Sequence, residues 1–139
     1  MATVYDVPAN KLIEETAKDL KENVKLERPE WTLIVKTGTH KERKPSNIDW
    51  WWVRAASILR RVYIEGPVGV QRLRTAYGGT KNRGHKPNKF FKASGKVLRA
   101  IMKELDGVEL TQSSKSGRKI TDKGRSYMDK IASKIAVAK

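Results

Sequence analysis

The chain has 139 residues, 38% of them hydrophobic, an ordinary globular share that suits one domain with its own core. Thirty Lys and Arg against fifteen Asp and Glu leave a formal charge of +15, and there is no cysteine. That excludes a disulfide framework, a Cys-based zinc site, an iron–sulfur cluster and a thiol nucleophile.

No uncharged apolar stretch approaches the ~20 residues of a membrane span. The opening run from Met1 to Pro8 lacks the basic-then-apolar order of a signal peptide. The reading is a soluble, intracellular chain with no membrane partner. Residues 1–30 hold five basic and seven acidic side chains, net −2, so the remaining residues carry +17. That charge lies inside and between periodic apolar segments, which predicts a structured cationic surface instead of a solvated tail.

Residues 8–23 read as an N-terminal packing helix, with Leu12, Ile13, Thr16, Ala17, Leu20 and Val24 at helical spacing and Glu14, Glu15, Asp19 and Glu22 outside. The apolar run Trp31–Val35 has no decisive period, and 36–49 forms a basic loop. Asp49 is positioned to cap a helix from Trp50 to about Ile64, whose buried face is Trp52, Ala55, Ala56, Leu59, Val62 and Tyr63. Gly66-Pro67 ends it. A short helix fits Gly69–Tyr77, with Val70, Leu73, Ala76 and Tyr77 inward. The cationic stretch Thr80–Lys92 reads as a Gly/Pro-punctuated loop.

Ser94 opens the next helix, to about Leu105, with Val97, Leu98, Ile101, Met102 and Leu105 on its apolar side. Its Lys96, Arg99 and Lys103 form one basic stripe. Val108–Gln112 and Arg118–Thr121 predict a hairpin. Thr121 then caps a last helix with Tyr127 or Met128, Ile131, Ala132 and Ile135 inside. Gly124 costs about 1 kcal/mol against Ala in such a helix, so its presence predicts close packing on the hairpin.

The fold class is therefore mainly α: a helical bundle with a winged helix-turn-helix-like core over 50–139 and one small β-hairpin as the wing, in a single domain of 1–139. In the general motif, the helix before the wing meets nucleic acid.

Three successive tryptophans on a helix, at about 100° each, cannot share a face. Core packing suits Trp52 and Trp51, and the alternative use is a stacking surface for an unpaired base or an Arg plane. Arg54, Arg60 and Arg61 have no acid between Trp50 and Tyr63 to neutralise them, and Arg's planar fork matches phosphate. Lys81, Arg83, Lys86 and Lys89, with His85 and Lys92, give the Lys81–Lys92 stretch six bases and no acid. It lacks the Gly-x-x-x-x-Gly-Lys-Ser/Thr spacing of a nucleotide-binding loop. His40 and His85 are loop residues with no ligand or triad spacing. No catalytic residue, metal site or cofactor is read from the chain, and it is not read as an enzyme.

Pro29-Glu30-Trp31, His40-Lys41-Glu42, Trp50 through Arg54-Ala55-Ala56-Ser57, Gly69-Val70, Tyr77-Gly78-Gly79, and Gly117-Arg118-Lys119 with Thr121 and Gly124 follow in that order. Together, over about Val7 to Ala136, the chain resembles the archaeal and eukaryotic small-subunit ribosomal protein family S-nineteen-e, in an archaeal-type form. The resemblance implies a winged-helix-like protein of the subunit head, cytoplasmic on the ribosome, and needed for maturation of small-subunit ribosomal RNA and assembly of the particle. It implies that the positions of Arg54 and Arg60 are surface bases required for assembly, and it points also to Arg99 and Gly124. The run Trp50-Trp51-Trp52 departs from the aromatic mix of eukaryotic members.

The RNA-binding set is then Trp50, Arg54, Arg60, Arg61, Lys81, Arg83, Lys86, Lys89, Lys96, Arg99, Lys103, Arg118 and Lys119. The partners are small-subunit ribosomal RNA and neighbouring small-subunit proteins, and the isolated chain is expected to be monomeric. The alternative is a winged-helix DNA-binding regulator using Lys96, Arg99 and Lys103. A regulator usually needs a dimer surface and base-reading Asn, Gln or Arg at a helix start, and their helix offers mainly Lys and Arg, which bind phosphate without selecting sequence. An RNA-processing enzyme lacks a catalytic grouping.

Overall fold

A computed structural model of the protein describes residues 2–137. The helices are α1 (Ala9–Asp19), α2 (Trp50–Glu65), α3 (Val70–Ala76), α4 (Gly95–Gly107) and α5 (Asp122–Val137). Two antiparallel ribbons join them: β1 (Gly79–Arg83) with β2 (Lys86–Phe91), between α3 and α4, and β3 (Thr111–Ser114) with β4 (Gly117–Ile120), between α4 and α5. The mainly helical, winged-helix-like reading holds, and the second pair of strands is the expected wing.

The first ribbon corrects the loop expected over Thr80–Lys92. Its strands bury neither face, so the apolar alternation that reveals a strand is missing. The turn residues carry the signal instead. Gly84 has φ +72 and is the first of two central residues, as a type II′ turn requires.

Helix α2 is the centre of the bundle, packed against α1, α4 and β4. Trp51, Ala55, Ala56, Ile58, Leu59 and Val62 have no exposed surface. They meet Leu12 and Leu20 of the first segment, Leu98, Ile101 and Leu105 of α4, and Met128, Ile131 and Ala132 of α5 in one hydrophobic cluster. Packing on several sides widens the buried arc beyond the single stripe read from periodicity. Trp51 is fully buried, whereas Trp52 is only partly covered and donates its indole N–H to the Leu26 carbonyl at 3.1 Å.

The 3₁₀ turn Glu30–Leu33 lies against the start of α2, where Trp31 meets Trp51 edge-on with ring centroids 6.4 Å apart. Arg28 covers both Trp50 and Trp52 at 5.7 and 5.6 Å from their centroids.

Helix ends follow local chemistry unevenly. Thr121 caps α5 as expected, its hydroxyl accepting the Gly124 N–H at 3.0 Å. Asp49 does not cap α2: its carboxylate takes the Lys21 ammonium at 2.9 Å and bonds no helix amide. Gly66, at φ +80, ends α2. Helix α1 stops at Asp19 and runs into a π turn, Leu20–Val24, closed by Lys25 in the left-handed region at φ 57. No glycine marks that boundary, which is why periodicity alone carries the helix to residue 23. Ala76, expected to face inward, is exposed at the end of α3.

Candidate nucleic-acid interface

From Gly66 to Lys103 the sequence has no Asp or Glu and ten Lys and Arg. This stretch comprises α3, the β1–β2 ribbon and most of α4, and the fold displays most of its cations. Lys96, Arg99 and Lys103 are exposed along α4, as their i, i+3, i+7 spacing requires. The Lys96 ammonium stands over Trp31, 4.5 Å from the ring centroid. Arg99 folds back over the first turn, so that a Cβ on Gly95 would lie 2.8 Å from its Nη1. On the ribbon, Lys86 and Lys89 are exposed, while Lys81 and Arg83 are partly covered.

Two arginines of α2, Arg54 and Arg61, join this surface through Tyr77. Arg54 lies 4.1 Å and Arg61 5.6 Å from the Tyr77 ring centroid, and the Tyr77 hydroxyl pairs with the Ser57 hydroxyl. Burial pulls the Arg54 guanidinium below its ordinary pKa, with Tyr77 acting in the opposite sense. An arginine starts so high that it stays cationic at neutral pH. Arg61 is also held by Glu65 at 2.9 Å in an exposed i, i+4 pair, the kind worth only ~0.3–0.5 kcal/mol. Arg60 has its Nε buried without a hydrogen-bond partner.

Two members of the set from sequence are placed differently. Trp50 is 8% exposed beneath Arg28, so its face is closed to a base. Arg118 donates to the Asp106 carboxylate at 3.0 Å, and both are only about a quarter exposed. Its backbone bridges to Val68, so this arginine fastens the wing to the body. Asp106 lies eleven residues beyond Gly95, about 16 Å along α4. Arg118 and Lys119 therefore stand at the far end of that helix from the basic ribbon. Lys119 is exposed there.

The sequence makes His40 a loop residue with no assigned contact, and the structure supplies one. Its ring packs between two glycines: a Cβ on Gly38 would lie 2.7 Å from His40 Cε1, and one on Gly79 would lie 3.0 Å from His40 Cδ2. It thus ties the 36–49 loop to the root of the β1–β2 ribbon, beside the Gly38–Ala93 bridge. Gly38 is its near neighbour in sequence, but Gly79 is brought to it only by the fold. Arg74 does related work, donating from Nε to the Ala93 carbonyl at 2.9 Å.

Burial lowers the His40 pKa from 6.5, and Lys41, Arg54 and Lys36 push it the same way. The unfolded chain therefore takes up a proton first as the pH falls. The stability His40 contributes is complete above about 6.5 and is lost as the pH drops through and below that value. Comparing urea midpoints of the wild type and His40→Gln from pH 8 to pH 5 should show the wild type losing ground only on the acid side. Parallel curves would exclude the role.

Among the described residues no group of acidic and histidine side chains is arranged to hold a metal ion, and no helix is long and apolar enough to cross a membrane.

The chain matches the family described as ribosomal protein S19e over residues 3–138. It is 44% identical over 138 residues to small ribosomal subunit protein eS19 of Aeropyrum pernix, covering 97% of this chain and 90% of that one. Small ribosomal subunit protein eS19G of Ascaris suum is 43% identical over 135 residues, 96% of this chain and 91% of its own. Small ribosomal subunit protein eS19 of Mya arenaria is 39% identical over 135 residues, with the same two shares of 96% and 91%.

Proposed function

The chain belongs to the ribosomal protein S19e family, and from that premise we propose that it is a structural constituent of the small ribosomal subunit. In this reading it binds small-subunit ribosomal RNA in the head region, supports RNA maturation and particle assembly beside neighbouring proteins, and works in the cytoplasm. The observation that carries the RNA contact is the acid-free stretch from Gly66 to Lys103, whose cations stand on α4 and on the β1–β2 ribbon. None of the ion pairs among the described residues involves a cation of this stretch, so a polyanion is its natural counter-charge.

The winged-helix order also fits a DNA-binding regulator, but α4 exposes Lys96, Arg99 and Lys103 and no Asn or Gln. Lys and Arg serve a phosphate backbone first and can read only guanine among the bases, so this face suits backbone contact better than recognition of a mixed sequence. A backbone held inside a large ribonucleoprotein asks for nothing more.

Expressed with a tag in cells, the chain should sediment with the small subunit and be released in a salt-dependent manner, as phosphate contacts demand. A chain that stays at the top of the gradient at low salt would overturn the assignment.

A further inference from the structure

We propose that the β1–β2 ribbon is an arm for an RNA phosphate backbone whose ordering is coupled to that RNA, because the free ribbon is opposed by its own cross-strand charges. The inference rests on the RNA-binding reading above and deepens it. The register places Lys81 directly opposite Lys89 and Arg83 directly opposite Lys86. Directly opposite residues bring their Cβ atoms to about 4.5–5.5 Å, where like charges destabilise the pair. No carboxylate comes to their relief: none of the ion pairs among the described residues involves the ribbon.

The ribbon also lacks the usual compensation. Its strands show no buried residue, the register shifts between Lys81 and Arg83, and a two-stranded hairpin without an apolar face is marginal in water. What holds it is concentrated at the two ends. At the turn, the Asn82 side-chain oxygen accepts the Gly84 N–H at 3.0 Å, and Arg83 reaches the Pro87 carbonyl at 3.4 Å. At the root, Gly79 lies against His40, and Lys81 stands 5.4 Å from the Phe91 ring centroid. The middle has only its ladder.

The same residues say what the partner is not. Pro87 removes a donor from β2, and lysine-rich edges discourage strand addition, so the ribbon is a poor template for another sheet. The missing component is negative charge spaced along a chain. A phosphate backbone lying across Lys81, Lys89, Arg83 and Lys86 would turn two repulsive pairs into bridged ones.

Hydrogen exchange of the full chain, with and without a synthetic RNA stem-loop, tests this. Amides of residues 79–91 should exchange about tenfold more slowly with saturating RNA, while the α5 amides stay unchanged. In the free protein, added sodium chloride should slow the same amides, since it screens the lysines. Lys89→Glu should show opposite signs in two measurements. Exchange in the free chain slows, because Lys81 then faces a carboxylate across the ladder, and RNA binding weakens.

RNA that binds without changing exchange at 79–91 would overturn the coupling and leave the RNA-binding reading standing. Lys89→Glu speeding exchange in the free chain would also overturn it. No RNA binding even at low salt would remove both readings together.

Discussion

Gly124→Val should destabilise the protein by about 3 kcal/mol, the upper end of the usual overpacking range, and lower its melting temperature by roughly 10 °C for a chain of this length. Two opposing effects compete at this position. In an isolated helix, replacing a glycine by almost any other residue gains up to about 1 kcal/mol. Here a Cβ would be driven into the Leu110 carbonyl group, 3.1 Å from its carbon, and would lie 2.9 Å from Ile120 Cγ1.

The first of these neighbours is backbone, at the entrance to the wing, and it cannot rotate away. Its carbonyl also accepts the Thr121 N–H at 3.2 Å, so moving it breaks the joint between the wing and α5. The steric effect wins, and the branched side chain adds to it. Urea unfolding followed by far-ultraviolet circular dichroism would measure the loss. A midpoint at or above that of the wild type would show that α5 can slide off the wing at no cost, contrary to the packing.

This glycine is a case where sequence and structure agree for a physical reason. A helix-weakening residue in an otherwise regular helix, three residues after a capping threonine, implies a close approach, and the Leu110 carbonyl is what approaches. The buried sides of α1, α4 and α5 are similarly legible, because each helix packs through one stripe and leaves the other in water. Family membership is legible too, from the order and spacing of motifs such as Pro29-Glu30-Trp31 and Tyr77-Gly78-Gly79.

The tryptophans are less legible, because Trp50 and Trp52 are covered by Arg28 and Trp51 meets Trp31, all from a segment whose place in the fold periodicity cannot supply. The β1–β2 ribbon escapes for the opposite reason: it buries too little to leave a hydrophobic pattern.

The arginines teach a further distinction. Counted as charge, they are equivalent to the lysines, yet the fold uses many of them as fasteners. Arg28 donates to the Thr32 hydroxyl at 2.8 Å, Arg74 to the Ala93 carbonyl, and Arg118 to Asp106, while Arg54 and Arg125 lie over Tyr77 and Tyr63. A planar guanidinium can stack and bond several groups at once, which an ammonium cannot. Truncating Arg54 would therefore remove packing on Tyr77 together with charge. Replacing Arg54 and Arg60, the positions that the resemblance marks as surface bases, with alanine would mix a folding defect with a binding defect.

The exposed stripe on α4 gives the cleaner experiment. The triple variant Lys96→Ala, Arg99→Ala and Lys103→Ala should keep the fold and bind RNA on the order of 10²-fold more weakly near physiological salt. It should also flatten the slope of log affinity against log salt by about 2–3. Each lost phosphate contact retains roughly one counterion, so three contacts account for both figures.

Net charge alone would weaken binding as well, and that effect must be separated. Lys11, Lys18 and Lys134 are also exposed but lie around a cleft between α1 and α5, beside Glu14, Glu15 and Glu22. Changing these three to alanine removes the same charge from a surface that carries its own acids. It should leave the affinity within a few-fold of the wild type and the salt slope unaltered. Equal losses from the two triples would mean that RNA responds to the total charge of the protein and not to the face built by α4. A loss confined to the α4 triple, readable in a filter-binding titration at several salt concentrations, would locate the contact on the helix that precedes the wing.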